Sequence, residues 1–120
     1  MKVGPELVDW LQDLFGGLGP VRVRPMFGGA GVYVGELMIG LLDREETLYL
    51  RGDDETRARF EAAGSAPFIY PARGGAEMVM SYWRAPEEAL EAPEIAIVWG
   101  RLALDAAVRK QAAKGGKARR

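Results

Sequence analysis

Short apolar runs, bounded by glycines, prolines and charged residues, fill the middle of the chain between residues 24 and 50. In the last of these runs Leu48 and Leu50 alternate with Tyr49 and Arg51, and a period of two is typical of half-buried β-strands. Gly35-Glu36 separates two of these runs, and a two-residue connection with glycine first predicts a type II′ hairpin. We therefore predict strands, joined as an antiparallel meander, over Val21–Arg24, Val32–Val34, Leu37–Leu42 and Thr47–Arg51.

Apolar residues at helical spacing predict helices on both sides of these strands. The first helix starts at Pro5 and stops at Gly16. The middle helix starts from an Asp53 cap and stops at Gly64, and the C-terminal helix starts at Pro93. A further hairpin and a helical turn lie between them, over Pro67–Tyr70, Glu77–Trp83 and Pro86–Glu91. The order predicts an α+β fold in which an antiparallel sheet is covered by these helices.

The length and the charge distribution predict one domain followed by a short basic end. The chain has 120 residues, enough for a single hydrophobic core. All 17 acidic residues lie at or before Asp105, whereas six of the 16 lysines and arginines follow it. We therefore predict a domain with an acidic body over residues 1–113 and a flexible basic tail over residues 114–120.

Cysteine, histidine and asparagine do not occur in the sequence. Their absence excludes disulfides, cysteine-based zinc sites and Ser-His catalysis, so we predict no metal, no cofactor and no enzymatic activity. No run approaches the ~18 apolar residues of a membrane span. Glu6, Asp9 and Asp13 also interrupt the region where a signal peptide would be apolar. We expect a soluble, cytoplasmic protein that makes no membrane contact.

Three glycines, Gly28, Gly29 and Gly31, fall within four residues. Such a cluster suggests a phosphate-binding loop. That loop requires a following Gly-Lys-Ser/Thr and a helix, and a strand is predicted here instead. We interpret the glycines as a structural loop in which the backbone turns, bulges or passes close to another element.

Two acidic groups, residues 53–55 and 87–88, could in principle form metal-binding or acid–base pairs. Both occur where a helix is predicted to begin. The N–H groups at a helix start stabilise negative charge, so we interpret both groups as helix caps.

A cluster of aromatic and arginine residues, Tyr82, Trp83 and Arg84, follows Ser81 at the end of a predicted strand. Arginine and aromatic side chains are typical of interface anchors and of base-stacking surfaces. Together with four residues elsewhere in the chain, they are our candidate interaction residues: Arg24, Tyr33, Arg51 and Arg73. The alternative is ordinary core packing of Tyr82 or Trp83, with arginine stems covering apolar surface.

Several blocks of the sequence, taken in their order and spacing, resemble the TfoX N-terminal domain family. They are residues 26–33 (MFGGAGVY), 48–50 (LYL), 60–64 (FEAAG), 67–70 (PFIY) and 80–87 (MSYWRAPE). The resemblance covers most of the chain, from Leu7 to Ala113. It implies an antiparallel sheet with helices, similar to YgaC-like and secretion-chaperone-like domains, in agreement with the elements predicted above.

The resemblance also implies a function. Full-length TfoX (Sxy) proteins regulate competence genes, acting with a cyclic-AMP receptor protein and RNA polymerase, and they carry a second, C-terminal domain. This chain ends before such a domain could begin, so we expect a stand-alone N-terminal module. The family has no established catalytic residues.

We expect a non-enzymatic module that works through protein contacts, with the transcription machinery as a candidate partner, and that forms a homodimer. Two alternatives stay open. One is weak nucleic-acid binding through the basic tail and the arginine-bearing strands. The other is a small-molecule-binding protein or enzyme with a pocket near Gly28–Tyr33.

Overall fold

The structure, a computed structural model, describes residues 3–26, 28–71, 73–75 and 77–118. Its helices are α1 (Pro5–Phe15), α2 (Arg57–Ala62), α3 (Glu87–Glu91) and α4 (Pro93–Ala118). Its strands are β1 (Val21–Met26), β2 (Gly29–Val34), β3 (Leu37–Leu42), β4 (Leu48–Arg51), β5 (Pro67–Pro71) and β6 (Glu77–Arg84). Short 3₁₀ turns occupy Gly16–Leu18 and Arg73–Gly75. The predicted α+β class is confirmed.

The six strands form one antiparallel sheet in the order β1-β2-β3-β4-β6-β5. The meander predicted for the first four strands is confirmed. A meander through all six strands would place β5 next to β4, but β4 pairs with β6. The chain leaves the sheet after β4 through α2, and the β5–β6 hairpin then returns with its second strand inward. β1 forms one edge of the sheet. Proline has no N–H to donate, and an edge strand such as β1 tolerates Pro25 because it has a neighbouring strand on one side only.

Helices α1 and α4 contact each other and pack on one face of the sheet. The core between them is formed by buried side chains of all these elements, among them Leu11, Phe15, Val32, Ile39, Leu48 and Leu50. Phe60 of α2 is fully buried and joins this core through aromatic contacts: its ring centroid lies 5.5 Å from that of Trp83 and 5.2 Å from that of Trp99. The short helix α2 is therefore held by one aromatic anchor.

The turn between β2 and β3 follows the sequence prediction. Val34 pairs with Leu37 across a two-residue connection. Gly35 has φ 60°, whereas Glu36 has no positive φ. A positive φ at the first central residue only is the pattern of a type II′ turn.

The three clustered glycines have different roles. Gly28, with φ 80°, occupies a turn. Gly29 and Gly31 belong to strand β2, where Gly29 lies against the backbone carbonyl of Leu42 on β3. A side chain at position 29 would overlap that carbonyl, so the cluster serves a turn and a close approach of two strands.

The middle helix begins later than predicted, at Arg57. Asp53 and Thr56 bond each other reciprocally: the Asp53 N–H donates to Thr56 Oγ1 at 2.9 Å, and the Thr56 N–H donates to Asp53 Oδ1 at 3.2 Å. This pair closes a turn over residues 54–56, and the Arg57 N–H donates to the Asp53 carbonyl at 2.9 Å. Asp53 thus caps a turn that leads into the helix.

The C-terminal helix is longer than the apolar pattern indicates. The pattern ends near Ala113, whereas α4 continues to Ala118. Arg119 and Arg120 of the predicted tail lie outside the described residues. No helix in the described ranges has the length and apolar character that crossing a membrane requires.

Candidate functional site: the outer face of the sheet

The sheet has a second face, directed away from α1 and α4, which we call the outer face. Its side chains come from strand positions that alternate with those facing the core. On β4, for example, Leu48 and Leu50 are buried in the core, whereas Tyr49 and Arg51 lie on the outer face. The strand register aligns the outer residues in two rows across the sheet. The first row is Arg22, Tyr33, Met38, Arg51 and Tyr82. The second row is Arg24, Gly31, Leu41, Tyr49 and Arg84.

Arg51 holds the centre of the first row together. Its Nε donates to the Met38 carbonyl at 2.7 Å, close to the point where the β2–β3 register shifts between Val32 and Tyr33. Its guanidinium carbon lies 4.9 Å from the centroid of the Tyr82 ring, within the range of a cation–π contact. Burial raises the pKa of the Tyr82 hydroxyl, and the neighbouring Arg51 opposes that rise.

Tyr33 is covered by two arginines of the edge strand. The guanidinium carbons of Arg22 and Arg24 lie 5.8 Å and 6.0 Å from its ring centroid. Arg22 also donates from Nη2 to the Gly35 carbonyl at 3.0 Å and lies 3.8 Å from Glu36, in a pair exposed to solvent. The two arginines therefore present positive charge directly above an aromatic ring.

In the second row, Tyr49 extends the aromatic surface toward β5. Its ring contacts Phe68 edge-on, with centroids 4.9 Å apart. Burial is the main reason that the pKa of the Tyr49 hydroxyl is raised; Asp43 adds to the rise and Arg84 opposes it. Arg84 is the register partner of Tyr49 on the neighbouring strand.

The outer face is basic although the chain is not. The six strands contain four arginines, Arg22, Arg24, Arg51 and Arg84, and one acidic residue, Glu77. The whole chain has a net charge of −1. Positive charge is thus concentrated on the sheet, and acidic side chains lie mainly on the helices and turns.

The structure brings five of the seven predicted interaction residues onto the outer face: Arg24, Tyr33, Arg51, Tyr82 and Arg84. Trp83 is not among them, because successive strand residues point to opposite faces. Its side chain is buried in the core against Phe60, so the core-packing alternative describes it. The backbone of Arg73 lies in the turn after β5, and its side chain lies outside the described residues.

The sequence did not indicate that Arg22, Met38 and Leu41 share this surface. Arg22 is two positions from Arg24 on a predicted strand, and residues two apart on a strand share a face, so this spacing alone indicates that Arg22 lies beside Arg24. Met38 and Leu41 join the surface through the shifted register of β2 and β3, for which the residues give no signal.

Away from the sheet, Arg109 of α4 is bound by two carboxylates. It donates from Nε to Asp53 Oδ2 at 2.7 Å and from Nη2 to Asp53 Oδ1 at 3.1 Å, and Nε lies 2.6 Å from Glu55 Oε2. The hydrogen bond from Arg109 holds the pKa of the Asp53 carboxyl below its usual value, and burial partly opposes this. One of the six cations after Asp105 is thus engaged within the domain.

Two cavities accompany these features. One of about 570 Å³ lies where α2 ends and α3 begins, next to Gly64, Arg84 and Glu87. One of about 270 Å³ lies beside Arg51, Ser81 and Arg109. In the part of the chain that the structure describes, no group of three or more acidic residues is arranged to hold a metal ion. Neither of these two cavities lies at Gly28–Tyr33, where the small-molecule alternative placed its pocket.

The fold and the outer face define an α+β module that has helices on one face of its sheet and an arginine-rich aromatic surface on the other. The family model of the TfoX N-terminal domain matches residues 13–107. The chain therefore belongs to the TfoX N-terminal domain family, as its sequence predicted. Both rows of the outer face fall within the matched region. No curated protein matches the chain.

Proposed function

We propose that this chain is a non-enzymatic TfoX-like module that acts in transcription regulation through protein contacts made by its outer face. The observation that carries the proposal is the composition of that face: arginine, tyrosine and methionine, which protein interfaces favour, occupy its two rows. We propose a regulatory role because the chain belongs to the TfoX N-terminal domain family. The homodimer predicted from the sequence stays a prediction.

The non-enzymatic part of the proposal is supported by chemistry. The outer face presents guanidinium groups, phenol rings and thioethers, which are suited to recognition. The sequence offers no histidine or cysteine to act as a base or nucleophile beside them.

Transcript profiling in the host organism tests this function. We expect deletion of the gene to change a defined set of transcripts. A double substitution of exposed outer-face residues, Arg24→Glu with Arg84→Glu, should reproduce most of that change because it reverses charge at both ends of the second row. Arg59→Glu with Arg101→Glu is the matched control, since it changes charge equally at exposed positions of α2 and α4, and it should behave as wild type.

Two results would contradict the proposal. If deletion alters no transcripts, the regulatory role is wrong. If deletion alters transcripts but the outer-face variant does not, the regulatory role stands and its assignment to the outer face is wrong. Equal abundance of the variants, measured by immunoblot, ensures that the comparison reports function rather than folding.

A further inference from the structure

We propose that the outer face binds an extended, acidic segment of a partner protein, in which two acidic groups flank a short apolar stretch. This inference rests on the proposed function and specifies the chemistry of the partner. Three properties of the outer face carry it: where its charges lie, what lies between them, and how its aromatic rings are covered.

The charges require an acidic partner. Among the described side chains, no carboxylate lies within salt-bridge distance of Arg24, Arg51 or Arg84, and Arg24 and Arg84 are exposed. Arg22 has one carboxylate nearby, Glu36, whose side chain is 92% exposed, so this pair is weak. The exposed guanidinium groups of Arg22, Arg24 and Arg84 are therefore available for carboxylates, which they bind in bidentate geometry.

The spacing of the arginines sets the spacing of the acidic groups. In the second row, Arg24 on β1 and Arg84 on β6 are separated by three intervening strands. With roughly 4.8 Å between neighbouring strands, the two positions are about 19 Å apart. An extended chain rises about 3.3 Å per residue, so a segment crossing the sheet would span this distance with about six residues.

The middle of each row is apolar. Met38 and Leu41 lie between the arginines, and both are partly buried. The methyl groups of Met26 and Met38 both lie beside Gly31, which has no side chain of its own to fill the row. Methionine adapts to the shape of apolar partners, so the centre of the surface suits leucine or phenylalanine side chains.

The aromatic rings of the first row, Tyr33 and Tyr82, favour a peptide over a nucleic acid. Single-stranded nucleic acids bind by stacking bases on open ring faces. Arg22 and Arg24 lie over Tyr33, and Arg51 lies over the ring of Tyr82, which is 6% exposed. These rings support the guanidinium groups and do not offer open faces for bases.

A second copy of this chain does not fit the same surface symmetrically. In a two-fold dimer each outer face would meet its own equivalent. The arginines of one copy would then lie near those of the other, and like charges at an interface oppose association.

Fluorescence anisotropy with synthetic peptides tests the inference on the full chain. The probe is a labelled nonapeptide with two glutamates at each end and a central stretch containing leucine and phenylalanine. Its controls are the same peptide with glutamine for glutamate, a peptide of the same composition with all four glutamates at one end, and a ten-nucleotide oligothymidine. We expect the probe to bind at least about tenfold more tightly than each control, with an affinity that falls as salt rises.

The protein variants locate the site. Arg24→Glu with Arg84→Glu should weaken probe binding by about tenfold or more, since two attractive contacts become repulsive. Arg59→Glu with Arg101→Glu should change it less than about twofold, because both positions lie on the helices. Arg24→Gln with Arg84→Gln should fall between them. Circular dichroism confirms folding for each protein.

The following results overturn the inference: no binding of the probe, equal binding of the glutamine peptide, or equal loss in the helix variant. Tighter binding of the oligothymidine through the same arginines would assign the surface to nucleic acid instead. If the peptides fail while the outer-face variant still reproduces the deletion transcripts, the partner chemistry is wrong and the proposed function stands.

Discussion

Phe60→Ala is expected to lower the free energy of unfolding by about 3–5 kcal/mol, the usual range for removing a buried phenylalanine. Phe60 is fully buried. Its ring lies against both Trp83 and Trp99. The substitution therefore leaves a cavity lined by two large rings, and this cavity cannot close unless β6 and α4 move. The loss combines the apolar area returned to water with these missing contacts. Urea denaturation followed by far-ultraviolet circular dichroism measures it.

Two controls separate this effect from a general effect on α2. Phe60→Leu keeps part of the volume and should cost clearly less than Phe60→Ala. Glu61→Ala, at the exposed neighbouring position, should change stability by less than about 0.5 kcal/mol. A loss below about 1 kcal/mol for Phe60→Ala would show that this residue does not anchor α2 to the core.

Gly29→Ala is expected to cost about 1–3 kcal/mol or more, as for other overpacked sites. The added methyl group would overlap the carbonyl oxygen of Leu42 and come within 3.4 Å of the Cα of Asp43. Both are backbone atoms of the neighbouring strand and its turn, so relief requires β2 and β3 to separate. Thermal denaturation of the purified protein measures the effect.

Gly31→Ala is the matched control on the same strand. Its methyl group would meet the ends of flexible side chains, the Cε atoms of Met26 at 3.2 Å and Met38 at 3.3 Å, and the ring of Tyr33 at 3.0 Å. The methionines can move aside, so we expect a smaller loss than at position 29. Equal losses at the two positions would contradict a specific close approach at Gly29.

The fold was largely predictable because its signals are local. Short apolar runs on either side of Gly35-Glu36 indicated β2, β3 and the hairpin between them, alternation indicated β4, and Pro93 indicated the start of α4. The exchanged order of β5 and β6 was not predictable, since it depends on which strand edge the returning hairpin meets. The late start of α2 was also missed. Asp53 alone indicates a normal cap, whereas its reciprocal hydrogen bonds with Thr56, three residues further on, hold residues 54–56 in a turn before the helix begins.

The outer face was predictable in part. The residue types of Arg24, Tyr33 and Arg51 suggested a recognition surface, but only the register across strands shows which of them are neighbours. Tyr82, Trp83 and Arg84 are adjacent in sequence, but the strand directs Trp83 to the core and leaves Tyr82 and Arg84 on the outer face. The cover of arginines over Tyr33 and Tyr82 depends on side-chain positions that no sequence pattern specifies.

Site-specific photo-crosslinking in host cells tests most directly whether the outer face is the surface that contacts a partner protein. A benzophenone amino acid replaces Tyr33 in one version of the chain and Arg101, on the exposed side of α4, in the other. We predict a distinct crosslinked protein from position 33 that is lost when Arg24→Glu and Arg84→Glu are added, and no such product from position 101. Products of equal yield from both positions, or a product from position 33 that contains only a second copy of this chain, would contradict the account.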